Sequence, residues 1–263
     1  MIIYGVGLEN MKPKLTIIIA ANNDETIIEE ALKSASWVDE IIVVLADTSV
    51  DQTEQIAKRF TEKVYTSENH LGKQRNLGIN KSFGEWIFIL DTDERISTPL
   101  QKEIKLVLQS IKNNIDGFEI PYENYFLGFK VNWGNQSYKK LRLFKKNKGY
   151  VEDLKTHPEI VVKGKTRTLK GPIKHYSFRT LPQTIRKFTY YAREDTSRLK
   201  KLEKPSLLKL ITYPTHMLLT LIISDRGYKD GIYGFLLALC FSYYEFARYF
   251  FLLFSHEKAR DHN

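Results

Sequence analysis

The sequence predicts an α/β protein: a doubly wound, mostly parallel sheet, followed by a helical C-terminal region of different character. Short apolar runs alternate with amphipathic segments up to about residue 120, which is the rhythm of βαβ units. Acidic and amide side chains gather directly after those runs, at the carboxyl ends of the strands, where open α/β sheets meet their ligands. Beyond Ile185 the chain turns to a basic helical segment and then to two apolar ones.

Taken in order, Leu15–Ala21 is an apolar strand, and Glu25–Ser36 reads as a helix with Asp24 as its N-cap. Glu40–Leu45 is the second strand and Asp51–Phe60 the second helix. Lys63–Thr66 forms a short strand and Gly72–Lys81 the third helix. Glu85–Leu90 is a strand whose apolar core is bounded by Gly84 on one side and by charges on the other. Pro99–Lys112 is a helix, with Thr98 at the N-cap and Pro99 in the first position, where no N–H is needed. Phe118–Pro121 is a further strand. From Tyr122 to His175 the pattern breaks into short β-like pieces such as Lys140–Phe144 and Glu159–Val162.

The last part reads differently. Ile185–Leu202 is a basic helix, and Leu207–Ile223 is rich in Leu and Ile but contains Lys209, Pro214 and His216. Phe235–Phe254 is almost wholly apolar or aromatic and long enough to span a bilayer. Glu245 and Arg248 near its middle make spanning costly. An interfacial helix, apolar face down with tyrosines at headgroup level, is therefore expected; a buried helix or a homodimer contact is the alternative.

The chain has 263 residues, 43% of them hydrophobic, which suits one large domain or a domain with an appendage. A single cysteine, Cys240, excludes an internal disulfide framework and fits a reducing compartment. Met1–Lys14 has no basic segment ahead of an apolar one, so no secretory signal is expected. The net charge of +9 is unevenly spread. Residues 1–138 carry 14 basic and 20 acidic side chains, net −6; residues 139–174 carry 12 and 3, net +9; residues 186–209 carry 8 and 3, net +5. The basic half suits a phosphorylated acceptor, anionic lipid or nucleic acid. Because 139–174 lacks the aromatic interleaving of an RNA module, no nucleic-acid partner is expected.

Asp91-Thr92-Asp93 directly follows the run Trp86–Leu90. Two carboxylates one residue apart at a strand exit can hold Mg²⁺ or Mn²⁺, which keeps waters and takes remaining ligands from a substrate phosphate. This points to an enzyme acting on a nucleotide-activated substrate. Other polar groups fall at comparable places. Asn22-Asn23-Asp24-Glu25 follows the first strand, and Asp47-Thr48-Ser49-Val50-Asp51 the second. Leu71-Gly72-Lys73-Gln74-Arg75-Asn76 opens the third helix, and Glu152-Asp153 and His157-Pro158-Glu159 lie in the later β region. A nucleotide-sugar site needs such parts: an acceptor for the base imide, cations or a helix N-terminus for the diphosphate, a metal, and a carboxylate or histidine as base.

Together these residues resemble family 2 glycosyltransferases with the GT-A fold, Pro13–Ser97 covering the nucleotide-binding half. From Lys170-Gly171-Pro172 through His175-Tyr176-Ser177-Phe178-Arg179 to Tyr228-Lys229-Asp230-Gly231, the chain is similar to bacterial lipopolysaccharide-core β-glucosyltransferases. The resemblance implies a catalytic domain over residues 1–179, with a nucleotide-sugar half (13–97) and an acceptor half (98–179), and a basic, apolar tail over 180–263. It implies that Glu25 and Asp51 flank the nucleotide, that Arg75 and Asn76 contact its ribose and phosphates, that Asp91 touches the ribose and that Asp93 holds the metal. Lys73 joins the donor set as a cation at the same helix start. Asp47 stands one step past the family's usual base-reading aspartate, whose place Ala46 takes, and Val50 replaces the usual threonine. The base is left open among Asp153, Glu152, His157 and Glu159, with Asp153 preferred.

The implied activity is metal-dependent, inverting transfer from a nucleotide sugar, a UDP-sugar, to a lipid-linked saccharide in lipopolysaccharide core or other envelope glycan synthesis. The implied place is the cytoplasmic face of the bacterial inner membrane, with the protein peripheral or monotopic on that surface. Transfer to a polyprenyl phosphate is the runner-up, and non-catalytic nucleotide or nucleic-acid binding is the alternative of a different class.

Overall fold

A computed structural model describes residues 15–110, 115–155, 157–202 and 206–260. The reading of Met1–Lys14 and the last residues of the helix expected to reach Lys112 lie outside them. The chain forms two compact units: one runs to Pro121 and resumes over Lys139–Ile173, and the other comprises Tyr122–Tyr138 and everything from Lys174 onward.

In the first unit, β1 (Leu15–Ala21), α1 (Ile28–Ala35), β2 (Glu40–Ala46), α2 (Thr53–Ala57), β3 (Val64–Ser67), α3 (Leu71–Lys81) and β4 (Trp86–Asp91) follow one another. All seven β1 residues are buried, as a central parallel strand covered on both faces requires. β1 pairs in parallel with β2, Ile18 opposite Ile42, and with β4, Ile18 opposite Ile89. β2 pairs in parallel with β3. Next come β5 (Glu94–Ile96), α4 (Thr98–Ser110) and β6 (Gly117–Phe126). After β7 (Phe129–Val131) in the second unit, the chain returns through β8 (Lys139–Lys145), β9 (Gly149–Val151), β10 (Ile160–Val162) and β11 (Thr166–Thr168). β8 inserts antiparallel beside β4, Phe88 opposite Leu143, and β6 lies antiparallel to β8. Within this unit the order runs β3-β2-β1-β4-β8-β6, parallel as far as β4 and antiparallel from β4 through β8 to β6, while β11 pairs in parallel with β6. Ile18, Ile42, Val44, Ile87, Ile89 and Phe144 form one face of the core, closed by Ile79 of α3.

The expected elements are present, with local corrections at helix starts. α1 begins at Ile28, and Asp24 does not cap it with its side chain: its carboxylate turns back to accept from the Asn22 N–H, while its carbonyl accepts from Ile27 and Ile28. α2 is only Thr53–Ala57, because Asp51 folds over as a turn that accepts from the Thr53 N–H and hydroxyl. Ser97, not Thr98, caps α4, its hydroxyl accepting from the Leu100 N–H at 3.3 Å.

In the second unit, β6 and β7 form a hairpin through Leu127 and Gly128, both at positive φ (52° and 84°), the requirement of a tight two-residue turn. The unit continues with β12 (Ile173–Phe178, entered from the first unit), α5 (Leu181–Leu202), α6 (Leu207–Leu219) and α7 (Gly231–Arg260). Phe126, Phe188, Leu237 and Cys240 are buried together at its centre, so Cys240 is a packed thiol. Two stretches, Leu207–Ser224 and Gly227–Phe254, are long and apolar enough to cross a membrane. Only 6% of the first is buried, against 39% of the second. Glu245 and Arg248 pair with each other at 2.7 Å, and Glu245 is turned inward.

Candidate functional site at the exit of strand β4

Asp91, the last residue of β4, lies between two buried guanidiniums. Arg75, from α3, donates to one carboxylate oxygen, and Arg142, from β8, donates to the other at 2.8 Å. Arg142 also donates to Glu94 at 2.5 Å, and Glu94 accepts from the Asp91 N–H at 3.0 Å. The side chains of Arg75 and Arg142 are each 5% exposed and that of Glu94 is 1% exposed, so the network is closed off from water on most sides. Burial opposes ionisation of Asp91, but the charges of Arg142 and Arg75 outweigh it and hold the carboxyl far below its usual range. Lys140 lies two residues before Arg142 on β8 and shares its surroundings. Desolvation and the neighbouring Arg142 charge lower its pKa. Three cations thus meet two carboxylates, and the Arg75 Nε is buried with no hydrogen-bond partner. An excess of positive charge and an unused buried donor suit an oxyanion.

A second, acidic side forms where the loops after β1, β2 and β4 meet. Asp24 is pushed up to about 6, first by burial and then by the charges of Asp93 and Asp51, against hydrogen bonds from Asn22 and Thr92. Among the described residues, no three His, Cys, Asp or Glu side chains converge closely enough to hold a metal ion by themselves. Mg²⁺ and Mn²⁺ do not need such a cage: one or two carboxylates plus diphosphate oxygens and water suffice. Asp93 with its acidic neighbours fits that donor set.

The other expected residues are distributed as follows. Glu25 and Asp51 stitch two loops together: the Asp51 carboxylate accepts from the Glu25 N–H and that of Glu25 from the Gln52 N–H, both at 3.0 Å. Asp47 accepts from the Asn69 N–H at 3.0 Å. Lys73 is exposed and paired with Glu68 at 2.5 Å. Asn76 commits its amide to the Val151 backbone, donating at 2.7 Å and accepting at 3.1 Å, so it braces β9. Of these, Arg75 alone is brought against Asp91. The four base candidates share the β9–β10 loop. Glu152 accepts from the Glu159 N–H at 3.0 Å, Asp153 is exposed at 3.7 Å from His70 Nδ1, and His157 is exposed with φ 52°. The Pro158 carbonyl lies 3.5 Å from Arg75, which ties this loop to the network. The sequence pointed to neither Arg142 nor Lys140, and it held Glu94 and Asp24 only as members of the runs after β4 and β1, with no site role of their own. The readable signal was Lys140-x-Arg142, two cations placed by strand alternation on one face of β8.

Gly72 sets the position of this loop. A Cβ there would lie 2.2 Å from the Glu152 carbonyl oxygen and 2.9 Å from the Leu154 nitrogen. Gly72→Ala is expected to lower stability by about 1–3 kcal/mol. It should also cut turnover by about tenfold to a hundredfold by displacing the loop. Thermal unfolding and nucleotide release measure the two.

A mixed sheet whose parallel half ends in two aspartates beside buried guanidiniums, with apolar helices after it, is the GT-A arrangement with a helical tail. The chain belongs to glycosyl transferase family 2, which matches residues 16–162, more than half of its length. It is a glycosyltransferase. An uncharacterized glycosyltransferase of Rickettsia typhi is 25% identical over 251 residues, covering 89% of this chain and 85% of that protein. The lipopolysaccharide core biosynthesis glycosyltransferase LpsC of Rhizobium meliloti is 24% identical over 248 residues, covering 90% and 91%. The crystal structure of a 1–349 fragment of S. aureus TarS has 17% identity and a TM-score of 0.47, covering 94% of this chain and 92% of that one.

Proposed function

We propose that this glycosyltransferase moves a sugar, with inversion, from a nucleoside diphosphate donor to a lipid-linked saccharide acceptor. The donor is a UDP-sugar. The observation that carries this is Asp91 held between the buried guanidiniums of Arg75 and Arg142, with Lys140 beside them. Lys140 and the N–H groups of Arg75 and Arg142 left over from Asp91 and Glu94 would serve the diphosphate, and Asp91, held between the two guanidiniums, would accept from the ribose with its remaining lone pairs. Asp93, with Asp24 near it, would hold Mg²⁺ or Mn²⁺, which when bound offsets the charge building on the departing diphosphate. The acceptor hydroxyl oxygen attacks the anomeric carbon on the face opposite the diphosphate. The anomeric C–O bond breaks, and the hydroxyl proton passes to the Asp153 carboxylate. Asp153 suits this role because it is exposed and beside His70. Placement at the cytoplasmic face of the bacterial inner membrane is supported by the apolar tail and by the similarity to LpsC.

Asp153→Asn should abolish transfer to solubilised lipopolysaccharide core saccharide while UDP affinity stays within about twofold, because the base acts on the acceptor. Normal transfer by this variant, with loss in Glu152→Gln, His157→Ala or Glu159→Gln, would move the role to that residue.

A further inference from the structure

We propose that the α6–α7 hairpin lies in the plane of an anionic lipid leaflet without crossing it, anchored at its two ends by lysine–aromatic pairs. The proposal deepens the membrane reading of the tail and is independent of the donor chemistry.

The apolar surface comes first. α6 has no buried residue, and Leu207, Leu208, Ile211 and Leu219 stand exposed along it. Its exposed threonines spend their hydroxyls on their own helix: Thr212 donates to the Leu208 carbonyl and Thr215 to that of Ile211. That removes the polar penalty of facing lipid. Among the described side chains of α7 the exposed large apolar ones are Ile232, Phe235, Leu239, Phe246, Phe250 and Phe254, a single stripe at helical spacing. Glu245 and Arg248 pair away from this stripe.

Two features keep both helices on one side of a bilayer. The turn between them is fastened to the loop after β7. The Asp225 carbonyl accepts from the Gly134 N–H at 2.9 Å, and the Asp230 carboxylate accepts from the Asn132 and Trp133 N–H groups at 2.9 and 2.8 Å. A crossing hairpin would have to carry that polar loop through the bilayer. In addition, α7 is flanked by the charged helix α5: Thr189 meets the Tyr243 hydroxyl at 2.6 Å, Asp195 accepts from Tyr244, and Thr196 donates to the Arg248 carbonyl. Arg193 and Glu194 would cross with it.

The ends carry the chemistry of an interface. Lys209 stands over the Tyr213 ring at 5.7 Å near the start of α6, and Lys229 over the Trp133 ring at 4.3 Å at the turn, with Tyr228 exposed beside it. Amphipathic rings paired with lysines sit at headgroup depth and prefer an anionic surface.

The test uses the full chain with Cys240→Ala and a single new cysteine, Ser206→Cys or Ser224→Cys, bound to phosphatidylglycerol vesicles. An impermeant maleimide added outside should label both positions as in detergent. In the same complexes, lipids brominated near the headgroup should quench Trp133 more than lipids brominated near the chain end, with Trp133→Phe giving the background. Lys209→Ala/Lys229→Ala should weaken vesicle binding by about tenfold or more, and neutral phosphatidylcholine should bind less. Labelling of only one cysteine until detergent is added would overturn the in-plane arrangement while leaving membrane binding intact. Failure of the parent to pellet with vesicles would overturn the membrane reading itself. Should sedimentation then show a dimer that Ile211→Asp dissociates, the stripe belongs to a second copy.

Discussion

Asp93→Ala is expected to lower kcat/KM about a hundredfold or more, on the order of 3 kcal/mol of lost transition-state stabilisation. The reasoning is electrostatic. As the donor's anomeric bond breaks, negative charge gathers on the diphosphate. Asp93 follows the end of β4, near Asp24 and the acidic loops after β1 and β2, so under the proposed function it is the carboxylate that would hold a divalent ion against that charge. The fold should be little affected, because Asp93 is a half-buried side chain in the turn past the end of β4 and not part of the apolar core. The measurement is nucleotide release from UDP-sugars across a Mn²⁺ titration, alongside thermal unfolding. Activity equal to the parent's in the presence of EDTA would remove Asp93 from the metal and the metal from the reaction.

Arg142→Ala is expected to have the largest effect on stability. It leaves Glu94, 1% exposed, and Asp91 without a shared cation. Breaking a buried pair from one side costs about 3–5 kcal/mol, since the remaining charge stays buried and uncompensated. In a chain of this size that corresponds to a fall in Tm of roughly 6–20 °C. Donor binding should fall with it. The double variant Arg142→Met/Glu94→Gln removes both charges and should recover at least half of the lost Tm without recovering donor binding. A single variant that melts within about 2 °C of the parent would show that the network contributes nothing to the fold.

Much of the first unit was legible because its signals are local. Leu15–Ala21 is an apolar run broken only by Thr16, and β1 ends at Ala21 where that run ends. Asp91 and Asp93 were conspicuous because they break off such a run. The partners of Asp91 were not, because they arrive through pairing that local sequence does not encode. Arg142 lies 51 residues away and reaches Asp91 only because β8 inserts antiparallel beside β4. In the sequence it was one of 12 basic residues in a basic stretch. Asp24 looked like a helix cap, since an aspartate before a helical pattern usually is one. Instead its carboxylate serves the loop, and the helix starts one turn later. The tail shows the same limit. Glu245 and Arg248 read as charges stranded in an apolar segment, and their spacing of three residues on a helix lets them neutralise each other.

Under the proposed function the exit of β4 binds a nucleoside diphosphate together with a divalent metal. Calorimetric titration of the four common nucleoside diphosphates into the parent and Asp93→Ala, each with Mn²⁺ and with EDTA, tests it most directly. UDP should bind most tightly with Mn²⁺. Both EDTA and Asp93→Ala should weaken it by about tenfold or more, close to 1.4 kcal/mol. UDP binding of equal strength in all four conditions, or no binding of any nucleoside diphosphate, would contradict it.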